Sequence, residues 1–226
     1  MLEPLEESLS LSPTEARIVG CLIEKAATTP ESYPLTVNSL VLAANQKTSR
    51  EPLMNVEEGA VGHALRELED RGWVRVVHGS RAHRYEHRIE DKLSVTKPQR
   101  ALLCLLLLRG PQSAPELLTR SDRLAEVGSL DDVKQVLERL QQRGFVSNIG
   151  RASGQREDRF AHLFCGPVEA HARREDDEPV TAAGASSLAQ RVSELEATVL
   201  ALQARIEALE GGRDGCITQA GASLDA

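Results

Sequence analysis

The chain has 226 residues, aromatic residues at only 3% and four cysteines, none of them in a C-x-x-C pair. That length suits two small domains and an appendage. The cores must be aliphatic, and the cysteine usage excludes a disulfide scaffold and fits a reducing cytoplasm. The net charge of −7 conceals changes of sign: residues 1–90 carry 10 Lys and Arg against 14 Asp and Glu, residues 91–166 carry 12 against 9, and residues 167–226 carry 5 against 11. A dedicated nucleic-acid binder shows a basic footprint, and only the middle segment leans that way.

The first eleven residues hold Glu3, Glu6 and Glu7 and no basic side chain, unlike a signal peptide. Ser12-Pro13-Thr14-Glu15 is a capping box with proline in the first turn. The helix it opens carries Val19, Leu22, Ile23 and Ala26 on one face. Residues 28–35, with Pro30 and Pro34, read as extended. Thr36 then caps a second helix with Val37, Leu40, Val41 and Ala44, and a polar connection, residues 45–52, leads to a third helix near 56–71. Its stripe is Val61, Ala64, Leu65 and Leu68, at the spacing of one helix face. Arg71-Gly72 stops it, glycine taking the left-handed position after a helix without a Cβ penalty. Trp73 to Val77 is rich in aromatic and β-branched residues and reads as a strand, and a return strand over 84–89 completes a hairpin with a basic loop.

The same order recurs. Adding 72 to each number gives Val133, Val136, Leu137 and Leu140, then Arg143-Gly144 and Phe145-Val146. Arg84-Tyr85-Glu86-His87 is echoed by Arg159-Phe160-Ala161-His162, and Arg17 with Cys21-Leu22 by Arg100 with Cys104-Leu105. A period this long indicates a duplicated domain rather than a solenoid. The second copy has helices over about 96–109, 113–120 and 130–143 and a hairpin over 145–164. Its longest apolar run, 101–108, is far too short to span a bilayer. The offset between copies falls from 83 at the first helix to 72 at the third, so the first copy holds eleven extra residues in and around 28–34 and 45–52.

Residues 168–187 are acidic, then rich in Ala and Gly, and read as a linker. Leu188, Val192, Leu195, Val199, Leu202, Ile206 and Leu209 follow at alternating spacings of four and three, a heptad seam. Valine and isoleucine at one seam position with leucine at the other favour a parallel two-stranded coiled coil, hence a homodimer. The tail after Glu210 reads as disordered.

The segments Glu15-Ala16-Arg17, Gly20-Cys21-Leu22-Ile23-Glu24-Lys25, Thr29-Pro30, Tyr33-Pro34-Leu35 and 45–52 together resemble the bacterial YceH-like family. Leu107-Leu108-Arg109-Gly110, Gln155-Arg156 and His162-Leu163-Phe164 continue the likeness, which covers roughly 12–166. The resemblance implies tandem winged-helix domains and often a C-terminal coiled coil, and it implies no activity. Pro115 departs from relatives that often carry glycine there, without consequence for the reading.

Candidate sites follow from charge. The first hairpin carries His78, Arg81, His83 and Arg84, and the second Arg151, Gln155, Arg156 and Arg159. Arginines on a projecting hairpin can meet phosphates or enter a minor groove. The alternative is a pair of solvated polar turns. The inserted run offers Gln46, Lys47, Ser49 and Arg50 as a contact for an anionic ligand beside a helix N-terminus, against a loop that satisfies its own backbone. The third helix of the first copy argues against DNA, since Glu57, Glu58, Glu67, Glu69 and Asp70 outweigh Arg66 and Arg71. His78, His83 and His87 lie close in sequence, but no acid or cysteine completes a zinc-like set. His87 has a counterpart in His162, which suggests packing. No nucleophile elbow, phosphate-cradling loop or paired-acid motif is present.

The sequence therefore predicts a mainly helical α+β protein: a winged helix over 1–91, a second over 92–168, a linker over 169–187, a coiled-coil helix over 188–210 and a tail over 211–226. The expected function is non-enzymatic, without metal or cofactor, in the cytoplasm and away from membranes. Duplex DNA is the expected partner of a transcription-regulator-like homodimer. A protein–protein scaffold with an unidentified partner is the alternative.

Overall fold

In the computed structural model, residues 9–79, 82–151 and 156–166 are described. Their order is α1 (Pro13–Thr28), α2 (Val37–Ala44), α3 (Glu58–Asp70), β1 (Val74–His78), β2 (His83–His87), α4 (Ile89–Leu93), α5 (Lys97–Arg109), β3 (Gln112–Ser113), α6 (Ala114–Ser121), α7 (Leu130–Gln142), β4 (Val146–Gly150) and β5 (Arg159–His162). The class is α+β and mainly helical.

The starts and stops follow local chemistry. Ser12 and Glu15 exchange both capping-box hydrogen bonds at α1, and Ser113 and Glu116 do the same at α6. α5 begins with the box of Thr96 and Gln99. Thr36 and Ser129 cap α2 and α7 through their hydroxyls. Gly72 and Gly144 take φ +73° and +71° directly after α3 and α7, the conformation expected of the residue past a helix end. Where residues 28–35 were expected to be extended throughout, Pro30–Ser32 makes one turn of 3-10 helix; three residues carry too little periodicity to register in sequence. The return strand likewise ends at His87 rather than continuing to Ile89, which opens the short α4 and is fully buried.

The duplication extends to the sheets. In the second repeat β3 and β4 flank β5, all antiparallel, with Gln112 opposite Phe160. In the first, β1 pairs β2, and Leu35 forms a single bridge to Tyr85, the equivalent of Phe160. Each repeat therefore pins the residue before the cap of its second helix to its return strand. Arginine locks recur as well. Arg71, at the end of α3, donates to Ser10 O and pairs with Glu15, while Arg143, at the end of α7, donates to Leu93 O and Ser94 O and lies over the Phe145 ring at 4.5 Å. In both cases the third helix is tied to the chain entering the first. Arginine suits this, since one planar fork can serve several acceptors.

All described residues belong to one unit, 1–172, whose repeats share a continuous apolar core. α1 lies against α5. Gly20 makes the close approach possible, because a Cβ there would stand 2.8 Å from Leu108 Cδ2. Cys104 Sγ donates to the Gly20 carbonyl at 3.4 Å. Cys21 and Cys104 are fully buried, and burial pushes the Cys21 thiol up to about 11, so both serve as small apolar groups. Trp73 meets Phe164 edge-on at 5.6 Å, and Leu11 N–H donates to Phe164 O at 2.7 Å, so the end of the second repeat closes over the start of the first. The boundary placed at 91–92 falls within α4. The second unit, 173–226, lies outside the described residues, and with it the seam from Leu188 to Leu209. Among the described residues no helix is long and apolar enough to cross a membrane.

Candidate nucleic-acid interface

The basic residues singled out in sequence divide into those used by the fold and those left to solvent. Arg84, on β2, donates to Pro34 O at 2.8 Å, and Arg159, its counterpart on β5, donates to Pro111 O. Pro34 and Pro111 occupy the same place, two residues before the caps Thr36 and Ser113. The repetition of this arginine thus marks a device that fastens the hairpin to its helices, although Arg84 remains exposed. Arg151 pairs with Asp158 at 3.0 Å; hydrogen bonds from Asn148 and then Arg151 hold that carboxyl below its ordinary value. Arg156 is exposed, and Arg81 and Gln155 lie outside the described residues.

At the end of the first hairpin the His78 and His83 rings meet edge-on, with their Nδ1 atoms 3.3 Å apart. His87 and His162 are different. Each buries an Nδ1 that has no hydrogen-bond partner. Burial, joined by Arg100 at His87, pulls both down to about 4. The His87 N–H donates to Tyr33 Oη at 2.7 Å, and the His162 ring stacks on Phe164 at 6.1 Å. These are packing residues in both repeats. Among the described residues no three His, Cys, Asp or Glu side chains gather to hold a metal.

The inserted loop departs most from expectation. Arg50 was expected to offer mobile positive charge; instead its side chain is 0% exposed. Nε donates to Ala43 O, Nη1 to Glu24 Oε1 and Ser49 O, and Nη2 to Glu24 Oε2 and Gln46 Oε1, at 2.6 to 3.1 Å. The fork is saturated, and Gln46 is one of its acceptors rather than a ligand contact. Asn45 clamps Val56 by donating to its carbonyl and accepting from its N–H. The loop then crosses to the second repeat. Glu51 N–H donates to Leu108 O at 2.8 Å, and Ser49 Oγ accepts from Arg109 at 2.6 Å. The second repeat closes its own fold without this insertion, so its role in the first is to join the two. Lys47 alone of the four expected residues is exposed. Arg109 and Arg120, which sequence reasoning passed over, lie across the junction. Their places in the first repeat hold Ala26 and Ala43, so the failure to repeat was the available signal.

The third helices differ in charge, one acidic and one mixed. α3 exposes Glu57, Glu58, Glu67, Glu69 and Asp70 around His63 and Arg66. α7 exposes Lys134, Gln135, Arg139 and Gln142 together with Asp131, Asp132 and Glu138, Lys134 pairing with Asp131 at 3.8 Å, and packs beside β4. Two large apolar side chains of the first repeat are also exposed, Leu42 at 74% and Leu53 at 66%.

These features define a class: a mainly helical α+β protein built from two copies of a three-helix-and-hairpin unit, with its polar surface concentrated on the third helices, the hairpins and the junction loop. The chain belongs to the family whose model is described as a protein of unknown function, DUF480, matched over residues 11–155. It is 51% identical over 207 residues to a UPF0502 protein of Stenotrophomonas maltophilia strain K279a, covering 89% of this chain and 94% of that one. A UPF0502 protein of Xanthomonas campestris pv. campestris strain B100 is 51% identical over 209 residues, covering 90% and 94%. One from Pseudomonas syringae pv. tomato is 50% identical over 211, covering 92% and 95%. The earlier likeness to the YceH-like family agrees with these matches.

Proposed function

We propose that each repeat is a winged helix, with the hairpin as wing, and that the protein is a non-enzymatic, transcription-regulator-like binder of duplex DNA acting chiefly through its second repeat. The observation that carries this reading is the exposed face of α7. In a helix-turn-helix the third helix enters the major groove, and amides and basic side chains on it can reach base edges and phosphates. Lys134, which also pairs with Asp131, and Gln135, Arg139 and Gln142 supply both kinds of group, and Arg156 adds an exposed cation from the hairpin. α3 is less suited to the same task, because it sets five exposed carboxylates against Arg66, where α7 sets three against Lys134 and Arg139. If about four phosphates are neutralised, log affinity should fall against log salt with a slope of roughly −3.6. Replacing Lys134, Arg139 and Arg156 by alanine should flatten that slope by about two to three, read by fluorescence anisotropy. Undetectable duplex binding at low salt would remove this reading.

A second reading, an interaction scaffold, is favoured by exposed Leu42 and Leu53 together with the acidic face of α3. Both readings include a parallel dimer through the seam at 188–209. Velocity sedimentation of the full chain should give a dimer, and a chain ending at Thr181 a monomer. A monomeric full chain would end the coiled-coil proposal.

A further inference from the structure

We propose that the junction between the repeats binds a phosphate group, held by Arg109 and Arg120, with Lys47 on the loop whose Ser49 meets Arg109. Arg109 ends α5, and among the described residues its guanidinium donates to one partner, the neutral hydroxyl Ser49 Oγ at 2.6 Å. It pairs with no carboxylate among the described residues. Arg120, on α6, donates to Gln112 Oε1 at 2.6 Å, and Gln112 in turn donates to Leu105 O and Gly110 O beside Arg109. The buried amide of Gln112 thus positions the second guanidinium against the end of α5 that carries the first.

The charges acting on Arg109 are unbalanced. Burial and then the neighbouring Arg120 hold its guanidinium below the ordinary arginine value, and Arg50 acts in the same direction; Glu24 opposes them. Glu24 is, however, engaged by the buried fork of Arg50 and by Lys25 at 3.7 Å. Glu116 caps α6 through Ser113 and pairs with Arg120 at 3.4 Å. Arg109, whose partner among the described residues is a neutral hydroxyl, is thus repelled by Arg120, which Glu116 meets at 3.4 Å. A bound oxyanion relieves that repulsion and accepts from several N–H groups at once, which a planar guanidinium suits. The C-terminal dipole of α5 stabilises a cation here by itself, but it accounts for one arginine rather than a pair. Access is open, since Arg109 and Arg120 are half-buried and Lys47 is exposed. Lys47 and Ser49 belong to the first repeat, and Arg109 and Arg120 to the second, so occupation would lock the two together.

This site does not depend on the DNA reading, and its test begins with inorganic phosphate and pyrophosphate. The full chain should show a saturable rise in melting temperature with either anion and none with chloride at matched ionic strength. Arg109→Gln and Arg120→Gln should each lose about tenfold or more in apparent affinity, as expected when a charged hydrogen bond is removed. Arg109→Lys should recover part of the loss. Lys47→Gln, at an exposed position, should lose less and still fold if the arginine variants do not. Absence of a specific rise in the full chain overturns the proposal, as do affinities unchanged across all three glutamine variants. A 20-base-pair duplex then separates the sources of phosphate. A salt slope lowered by roughly 0.9 in Arg109→Gln makes the ligand a nucleic-acid phosphodiester. An unchanged slope with lost pyrophosphate binding makes it a free phosphorylated molecule. The Lys134, Arg139 and Arg156 variants, remote in sequence from the junction, report on the DNA reading alone.

Discussion

Replacement of Arg50 by alanine is expected to cost about 3–5 kcal/mol, the range for breaking a buried ion pair by removing one partner. Five hydrogen bonds leave with the guanidinium, among them both bonds to Glu24 and those to the carbonyls of Ala43 and Ser49. Glu24, with its side chain 19% exposed, would keep Lys25, and the carbonyls of Ala43 and Ser49 would each lose a donor. The loop over 45–52 would lose its anchor to α1 and α2, and with it the clasp on α5. Urea denaturation should therefore show a lower midpoint. The double variant Arg50→Met, Glu24→Leu should regain much of the loss, because replacing both partners leaves no unpaired charge. A cost below about 1 kcal/mol for the single variant would show that the pair contributes no more than a surface salt bridge does.

The second large effect is acid sensitivity. His87 and His162 are held near 4 in the folded chain against an ordinary 6.5. Above pH 6.5 both states are neutral and the histidines contribute no pH dependence. Between about 6.5 and 4 the unfolded chain takes up a proton at each position and the folded chain does not, so stability falls as the pH falls. Below about 4 the two states titrate alike and the loss levels off. The ceiling is about 3 kcal/mol for each histidine. Carboxylates contribute to any acid profile, so the informative quantity is the difference between wild type and the His87→Phe, His162→Phe double variant. The variant should lose clearly less stability from pH 7 to 4.5. Parallel profiles would mean that neither histidine resists protonation in the fold.

Much of the architecture was legible because it is local. Capping boxes, glycine stops and the stripes of α3 and α7 depend on residues within one or two turns, and they appear in sequence as spacing. The repeat magnified this signal, since two copies of Arg-Gly-aromatic after an apolar helix leave few alternatives. The short elements escaped. The 3-10 turn at Pro30–Ser32, α4 and β3 are two to five residues long, too brief for a period of 3.6 or 2 to emerge.

The candidate site was legible in composition but not in role. Sequence located the arginines on hairpins and loop; it could not say which were already engaged. Arg84 and Arg159 fasten proline carbonyls, Arg151 holds Asp158, and Arg50 is interior. What the sequence by itself determined was the helix starts, the stops, the duplication and the uneven distribution of charge, all consequences of short-range chemistry. Only the tertiary structure decided that the repeats share one core through Gly20 and α5, and that the insertion joins them. It also decided that Arg50 is neutralised in the interior by Glu24, while Arg109 meets a neutral hydroxyl at the junction. The reason is physical: the partner that neutralises or satisfies a charge lies up to 61 residues away along the chain, and no local spacing records it.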